Sequence, residues 1–248
     1  MHSAPYDFAD RDHVASVNLK LLDLNPESRM LDFGCGRGAL ACELARRGYR
    51  VTACDIDGRK LGQLPEPCGP YPIATVLLTA GAPTLPFRDR EFDVIVCREV
   101  LEHIPDYART LAELRRALKP GGILLVSVPA RLSERLCHWF DEKWYEKSGH
   151  LRVFAKKALL AEFVASGWSV IRVENKQFFW AWNWLFLSMV KTRHTMGAIE
   201  SNSALYNALL RGWRLLEILH LKRTVERIGD RVFPKSHFFY LKKRSVAP

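Results

Sequence analysis

The chain has 248 residues, of which 48% are hydrophobic and 26% charged, and this composition excludes a disordered protein. Its length suffices for one sizeable core with an appended subdomain. The net charge of +10 is uneven, because residues 189–248 hold 12 Lys or Arg against 4 Asp or Glu. We expect that segment either to meet an acidic partner or to form a solvated helix face.

Helix-length and strand-length segments alternate along the chain. Apolar residues at helical spacing predict helices over 14–24, 39–48, 106–122 and 155–168. Short apolar runs predict seven strands, over 29–34, 49–57, 74–80, 91–100, 123–129, 169–175 and 237–244. This order is typical of βαβ units, so we predict an α/β fold with a doubly wound, Rossmann-like sheet of seven strands and a helical insertion before the last one.

The cysteines and the amino-terminal segment bear on location. The six cysteines form no CxxC pair and no zinc-ligand spacing, so we predict no metal site and expect reduced, buried thiols. The polar, acidic stretch MHSAPYDFADRDH is unlike a secretory signal. No apolar run reaches the roughly 18 residues that a membrane-spanning helix needs. These features favour a cytoplasmic protein.

The stretch MLDFGCGRGAL, residues 30–40, places a glycine-rich turn directly after the first strand. Its spacing satisfies both GxGxG and the dinucleotide pattern GxGxxG/A, so the turn alone does not identify the ligand. Asp32 stands two residues before the first glycine, where its carboxylate would repel a pyrophosphate and attract an ammonium. S-adenosylmethionine carries an ammonium and a sulfonium and no phosphate. Asp55, which ends the second strand, suits the ribose of either cofactor, so Asp32 favours S-adenosylmethionine.

Five segments together resemble the class I S-adenosylmethionine-dependent methyltransferases, a group that includes the quinone-biosynthesis methyltransferases. LDFGCGRG resembles the first motif and VTACDID the second. LPFRDREFDVIVCREVLEHIPD resembles the fourth-strand segment, LKPGGILLVSVP the fifth strand, and GHLRVFAKKALLAEFVASGW the helix that often follows. The resemblance covers roughly residues 15–175 and implies methyl transfer from S-adenosylmethionine.

The resemblance also implies which residues contact the cofactor. Ten are expected to do so: Asp32, Gly34, Cys35, Gly36, Asp55, Ile56, Gly81, Ala82, Cys97 and Arg98. Many relatives carry GDAxxLPF where this chain reads AGAPTLPF, so Gly81 stands where an aspartate would accept from the adenine amino group. We therefore expect backbone groups around Gly81 and Ala82 to recognise adenine, with a weaker cofactor affinity.

Methyl transfer requires alignment of two reactants and, for a hydroxyl acceptor, removal of a proton. His103 and His150 are the candidate catalytic bases, and each could instead be a structural histidine. The expected acceptor is a small or lipid-linked molecule, and oxygen, nitrogen and carbon all stay open as the methylated atom. Two alternatives also stay open: an RNA methyltransferase that uses the basic segment, and a scaffold that binds the cofactor without turnover.

The insertion separates two strands that usually form a hairpin in this family. We expect a cofactor-binding core over 1–176, an aromatic and basic insertion over 177–234, and the last strand within 235–248. Together with residues 130–150, the insertion is expected to cover the acceptor site. QFFWAWNWLFLSMV and the predicted helix ALYNALLRGWRLLEILHLKRTVERIG combine apolar, aromatic and basic residues. An anionic membrane surface, a buried lid core and nucleic acid are the three interpretations.

Overall fold

The computed structural model of the protein describes residues 14, 16–64, 68–189, 211–213 and 215–244. The chain forms two compact units. The first comprises Met1–Val128, Lys157–Glu174 and Phe238–Pro248, and the second comprises Pro129–Lys156 and Asn175–His237. The candidate cofactor residues all belong to the first unit.

The elements follow one another along the chain largely as alternating strands and helices. The strands are β1 (Arg29–Phe33), β2 (Arg50–Asp55), β3 (Ala74–Leu77), β4 (Phe92–Arg98), β5 (Leu118–Pro129), β6 (Trp168–Lys176) and β7 (Ser236–Lys243). The α-helices are α1 (Ala39–Arg46), α2 (Gly58–Leu61), α3 (Tyr107–Ala117), α4 (Arg131–Phe140), α5 (Trp144–Ser148), α6 (Lys156–Ala165), α7 (Phe178–Met189) and α8 (Lys222–Val232). Two short 3-10 turns cover Leu19–Leu21 and Leu101–His103.

The seven strands form one mixed sheet in the order β3-β2-β1-β4-β5-β7-β6, which confirms the predicted Rossmann-like fold. β1 pairs in parallel with β2 on one side and with β4 on the other. The chain therefore runs outward from β1 to β3 and then returns to β4 across β1. Open α/β sheets bind ligands at such a switch point, outside the carboxyl ends of the strands.

Helix α1 packs on one face of the sheet and begins directly after the glycine turn. Leu40, Ala41, Leu44 and Ala45 are buried, at the i, i+1, i+4 and i+5 positions of one helix face. They join the buried core that contains Met30 of β1 together with residues of β4, β5 and β7. The small alanines let the helix lie close to the sheet, and this holds the helix amino terminus beside the strand ends.

Two predicted elements differ from those observed. Within the described part of residues 14–24, Val14 is helical and a 3-10 turn covers Leu19–Leu21, so no continuous helix runs through 16–24, although Leu22 is buried as the apolar spacing requires. The KPGG segment, predicted to close the helix over 106–122, lies inside β5. The pairing register shifts there, since Phe92 pairs with Leu118 whereas Val94 pairs with Ile123. A bulge accommodates the Pro and the two Gly residues in a strand.

The expectation that all cysteines are reduced is wrong for two of them. Cys42, in α1, forms a disulfide with Cys68, and their Cα atoms are 5.0 Å apart. The loop at residue 69 lies against α1 so closely that a Cβ on Gly69 would stand 2.1 Å from the carbonyl oxygen of Ala45. This close approach brings together two cysteines that are 26 residues apart in sequence. The spacing matches no cysteine motif, so the sequence did not predict the disulfide. The free cysteines are Cys35, Cys54, Cys97 and Cys137.

The second unit contains helices α4 and α5, which the sequence did not predict, and the tryptophan-rich helix α7. Buried Phe179 stacks on Trp213 with ring centroids 4.5 Å apart, and Trp184 lies 5.3 Å from Trp144. Trp182, which is 48% exposed, contacts Phe233 edge to face. Much of the aromatic surface of α7 therefore packs inside this unit, as the interpretation of a buried core expects.

The long helix predicted over residues 204–229 is interrupted within its described part. Helical residues at 211–213 and 215–218 are followed by a turn, and α8 begins at Lys222. Residues 204–210 and Arg214 lie outside the described residues. Among the described helices, none combines the length and the hydropathy needed to cross a bilayer.

Candidate functional site

The glycine turn is tied to the end of the neighbouring strand. The backbone amides of Gly34 and Cys35 both donate to the carbonyl oxygen of Cys54, at 2.8 and 2.9 Å. Gly34, Gly36 and Gly38 all have positive φ angles, of +74°, +57° and +75°. Glycine adopts this left-handed backbone without the steric cost of a Cβ, so the sequence GCGRG allows the chain to turn sharply between β1 and α1.

The three glycines differ in what surrounds them. A Cβ on Gly34 would stand 2.4 Å from Val100, and one on Gly38 would stand 2.5 Å from Leu64, so both are needed for packing. A Cβ on Gly36 would meet no atom of the described residues within 4 Å. The backbone at Gly36 is thus exposed to open space, which is the arrangement that a closely approaching ligand requires.

Asp55 connects the turn with the end of β2. Its Oδ2 atom accepts a hydrogen bond from the Gly36 amide at 2.9 Å, and its Oδ1 atom accepts one from the Asp57 amide at 2.9 Å. The side chain is buried, with 7% exposed. Each carboxylate oxygen has a second lone pair, so Asp55 can still accept hydrogen bonds from a diol.

Asp32 is a buried carboxyl group at the end of β1. Burial raises its pKa to about 7, against the attraction of Arg98 and a hydrogen bond from the backbone of Ala41. Asp55 lies near enough to raise this pKa further by repulsion between the two carboxylates. A cation bound beside Asp32 would stabilise its ionised form, and the start of α1 already favours negative charge there.

Arg98, at the end of β4, is a buried cation beside the same site. Its Nη2 atom donates to the Ser16 hydroxyl at 3.2 Å, and the guanidinium lies over the Phe238 ring at 5.3 Å. Burial lowers its pKa to about 10. Its Nε and Nη1 atoms have no hydrogen-bond partner among the described residues. Each of these two atoms can donate a hydrogen bond to a ligand acceptor.

The remaining candidate residues lie at the same ends of the strands. Ile56 follows β2 and is 64% exposed, which is unusual for a large apolar side chain and suits a flat ring. Gly81 follows β3 with a φ of +72°, and the Ala82 amide donates to Thr79. Cys97 is fully buried, and burial raises its pKa, so its contact with the cofactor stays a prediction.

The two candidate bases belong to different units of the chain. His103 ends the 3-10 turn Leu101–His103 of the first unit, and its amide donates to Val100. In the second unit, His150 Nδ1 lies 2.9 Å from Glu134 Oε2, and the His150 side chain is 6% exposed. The indole nitrogen of Trp144 donates to the same oxygen at 3.1 Å.

A family described as the methyltransferase domain matches residues 8–173, more than half of the chain. The chain belongs to this methyltransferase family. The family is that of the class I S-adenosylmethionine-dependent methyltransferases, as the sequence motifs predicted, and S-adenosylmethionine is its cofactor.

The chain matches the two relatives named below over less than half of their own length. The ubiquinone biosynthesis O-methyltransferase of Paracidovorax citrulli is 35% identical over 112 residues, which are 40% of this chain and 42% of that protein. The demethylmenaquinone methyltransferase of Tropheryma whipplei is 34% identical over 119 residues, 48% of this chain and 49% of that protein. A solved structure, a putative methyltransferase from Bacillus halodurans, superimposes with a TM-score of 0.60 at 20% identity and covers 91% of this chain and 96% of that chain. That likeness shows the fold alone.

The side chains of this methyltransferase fit the chemical groups of S-adenosylmethionine. Asp32 offers a buried carboxylate to the ammonium, and Arg98 offers a cation whose Nε and Nη1 atoms have no hydrogen-bond partner among the described residues. Asp55 can accept from the ribose hydroxyls, and exposed Ile56 can pack on the adenine. The open backbone at Gly36 completes a cradle in which no described group takes the place of the ligand.

Sequence reasoning did not identify Ser16, which accepts from Arg98 in the first unit, or Glu134 and Trp144, which contact each other in the second unit. Glu134 lies on α4, where an acidic residue is usually solvated, and only its complete burial distinguishes it. Ser16 precedes the first strand and gives no motif. The one sequence signal for Glu134 is its place in a strongly amphipathic helix, on the face that carries buried Cys137.

Proposed function

We propose that this methyltransferase transfers a methyl group from S-adenosylmethionine to a hydroxyl oxygen of a small, quinone-type acceptor. The observation that carries the cofactor part is the buried Asp32 carboxylate beside the open turn at Gly36. The names of the relatives support the acceptor class, since they act in ubiquinone biosynthesis or on demethylmenaquinone. The carboxylate-bound imidazole of His150 supports a hydroxyl acceptor, because such a ring can remove its proton.

The residues of the first unit bind and orient. S-adenosylmethionine supplies a methyl group that its sulfonium already activates. Asp32 and Arg98 hold the two charged groups of the methionine portion, and Asp55 holds the ribose diol. This fixes the direction of the methyl group, and orientation of this kind contributes up to about 7–11 kcal/mol to the lowering of a barrier.

We propose that the second unit supplies the acceptor-binding residues. His150 accepts the hydroxyl proton as the oxygen forms its bond to the methyl carbon. Bound S-adenosylmethionine would supply the methyl group and would keep the electron pair of the broken carbon–sulfur bond on its sulfur. The products are a methyl ether, S-adenosylhomocysteine and a protonated imidazole, which then releases its proton to solvent. His103 stays a second candidate base.

The cofactor assignment is tested by calorimetry with S-adenosylmethionine and with NAD. We expect the first to bind and the second not to bind, because a pyrophosphate would lie beside the Asp32 carboxylate. Binding of NAD without binding of S-adenosylmethionine would contradict the proposal.

Transfer is tested with methyl-labelled cofactor and a fractionated cell extract. We expect label in small, organic-soluble phenols, and we expect the His150→Gln variant to lose transfer while it keeps cofactor affinity. Label in RNA would support the RNA alternative, and cofactor binding with no transfer into any fraction would support the scaffold.

We also propose that the second unit contacts an anionic membrane surface. Six large apolar side chains within residues 215–232 are between 48% and 71% exposed: Leu215, Ile218, Leu219, Leu221, Ile228 and Val232. Exposed Arg211, Arg223, Arg227 and Arg231 lie in the same stretch. Apolar surface beside cationic side chains suits the boundary between anionic headgroups and acyl chains. This contact is expected to bring the enzyme to lipid-linked acceptors.

The membrane contact is tested by cosedimentation with anionic and with neutral liposomes. Each Arg near the surface contributes about 1 kcal/mol to adsorption at low salt, and the attraction fades as salt shortens the Debye length. Reversal of Arg211, Arg223 and Arg227 to Glu should abolish binding and leave cofactor affinity unchanged. The matched control reverses exposed Lys20 and Arg88 of the first unit, with little effect expected. Wild-type protein that ignores anionic liposomes at low salt would contradict the proposal.

A cytoplasmic location, at the inner face of the membrane, also stays a proposal. The free buried cysteines Cys54, Cys97 and Cys137 support it. The disulfide between Cys42 and Cys68 does not, because disulfides are rare where thiols are kept reduced. A thiol assay on protein isolated from cells under alkylating conditions tests this point: two alkylated cysteines at positions 42 and 68 would favour the cytoplasm.

A further inference from the structure

Glu134 is a carboxylate in the interior of the second unit. Its side chain is fully buried, and its Oε2 atom lies 2.9 Å from His150 Nδ1 and 3.1 Å from Trp144 Nε1. Its Oε1 atom has no hydrogen-bond partner among the described residues. A charge removed from water is unfavourable unless its partners compensate, and in Glu134 both nitrogens contact the same carboxylate oxygen.

The donor inventory of these side chains determines where the protons lie. The indole Nε1 of Trp144 is a donor only, and an ionised carboxylate is an acceptor only. His150 must therefore donate from Nδ1 to complete the 2.9 Å contact with Glu134. In the neutral ring, a proton on Nδ1 leaves the lone pair on Nε2.

Packing holds this arrangement in place. The Trp184 ring lies 5.3 Å from Trp144 and 6.4 Å from His150, measured between ring centroids. Lys235 Nζ stands 4.0 Å from the centroid of the same Trp184 ring. The ring of His150 thus lies near the Trp184 ring of α7, which itself packs on Trp144 of α5, while Glu134 of α4 contacts Nδ1 of His150.

We propose that Glu134 is a positioning residue, which holds His150 in the Nδ1–H tautomer so that Nε2 is the proton-accepting atom. Trp144 fixes the rotamer of the carboxylate through its hydrogen bond. The use of Nε2 in catalysis rests on the proposed function, whereas the tautomer does not.

The tautomer can be measured without any acceptor or cofactor. Long-range proton–nitrogen correlation spectra of histidine-labelled protein distinguish Nδ1–H from Nε2–H, and the His150→Gln spectrum identifies the signals of His150. We expect Nδ1–H in the wild-type protein at mildly alkaline pH. An Nε2–H ring, or a proton on both nitrogens under these conditions, would overturn the proposal.

Two substitutions separate the orienting contact from the charge. Glu134→Gln keeps an oxygen that can accept from both nitrogens, so His150 should keep the Nδ1–H tautomer. Glu134→Ala removes the acceptor, and the ring should shift mainly to Nε2–H, the form that free imidazole side chains favour. Glu146→Gln is the matched control, because it changes an exposed carboxylate of α5 by the same chemistry and should leave the spectrum unchanged.

The outcomes separate the two proposals. The other histidine signals show whether the Glu134→Ala variant is folded. If they are unchanged and the tautomer of His150 is also unchanged, the positioning role of Glu134 is overturned. If Glu134→Ala does not fold, the wild-type and Glu134→Gln spectra still decide. Methyl transfer is not part of the measurement, so absence of transfer with the expected tautomers would refute the proposed function and leave the positioning role intact.

Discussion

The space beside Gly36 provides a direct test of where the cofactor lies. In the Gly36→Ala variant, the new methyl group would occupy a region with no atom of the described residues within 4 Å, so it should not clash with them. The backbone φ of +57° disfavours any residue with a Cβ, and this strain lowers the free energy of unfolding by about 1–2 kcal/mol. The methyl group should, however, stand where S-adenosylmethionine approaches the turn.

Gly48→Ala is the matched control for this substitution. Gly48 lies just beyond α1 with a φ of +87°, and a Cβ there also meets nothing within 4 Å. Both variants should therefore lose a similar amount of stability through strain. Only Gly36→Ala should lose cofactor affinity, by at least tenfold, which is about 1.4 kcal/mol or more. Gly34→Ala should lose more stability than either, because its Cβ would stand 2.4 Å from Val100.

The assay combines calorimetric titration with S-adenosylmethionine and urea unfolding of each variant. Wild-type affinity in Gly36→Ala would refute the location of the cofactor beside this turn. Equal losses of affinity in Gly36→Ala and Gly48→Ala would refute the argument from space, since strain alone would then explain both results.

Three further predictions concern charge, hydrogen bonding and the disulfide. The pKa of Asp32 is raised to about 7, and only the ionised carboxylate attracts the ammonium. Cofactor affinity measured by calorimetry should therefore fall about tenfold when the pH is lowered from about 8 to about 6. The Asp32→Asn variant should show no such pH dependence. Asp55→Ala removes the acceptor proposed for the ribose hydroxyls, together with the acceptor of the Gly36 and Asp57 amides, so it should weaken cofactor binding by about 1–3 kcal/mol. Unchanged affinity would show that the ribose lies elsewhere. Substitution of Cys42 and Cys68 by Ser should reduce the free energy of unfolding by about 3–4 kcal/mol for a loop of this length, measured in urea without reductant.

The parts of the site that the sequence predicts are those built from local segments. Asp32 lies one residue before the end of β1, and Asp55 is the last residue of the adjacent parallel strand β2. Their positions within RMLDF and after VTAC therefore suffice to bring them to one edge of the sheet. Three turn glycines within five residues likewise identify the turn on their own. The periodicity of residues 14–24 is less informative, because a segment with a 3-10 turn can bury Val17 and Leu22 as well as a longer helix can.

The parts that the sequence does not predict depend on distant contacts. Glu134 and His150 are 16 residues apart, and nothing in their spacing distinguishes this pair from solvated residues. The aromatic residues of α7 fit a membrane interface or a protein core equally well by composition. Their partners Trp144, Trp213 and Phe233 come from separate segments, and only the folded chain brings them together.

The Cys42–Cys68 disulfide encloses a covalent ring that contains β2 and Asp55. A proteolytic cut inside this ring would leave the two fragments linked, so a nicked protein should migrate as one band without reductant and as two bands with it. The linked fragments also stay at a high effective concentration relative to each other. A break in the backbone between Cys42 and Cys68 therefore need not separate the two halves of the cofactor site.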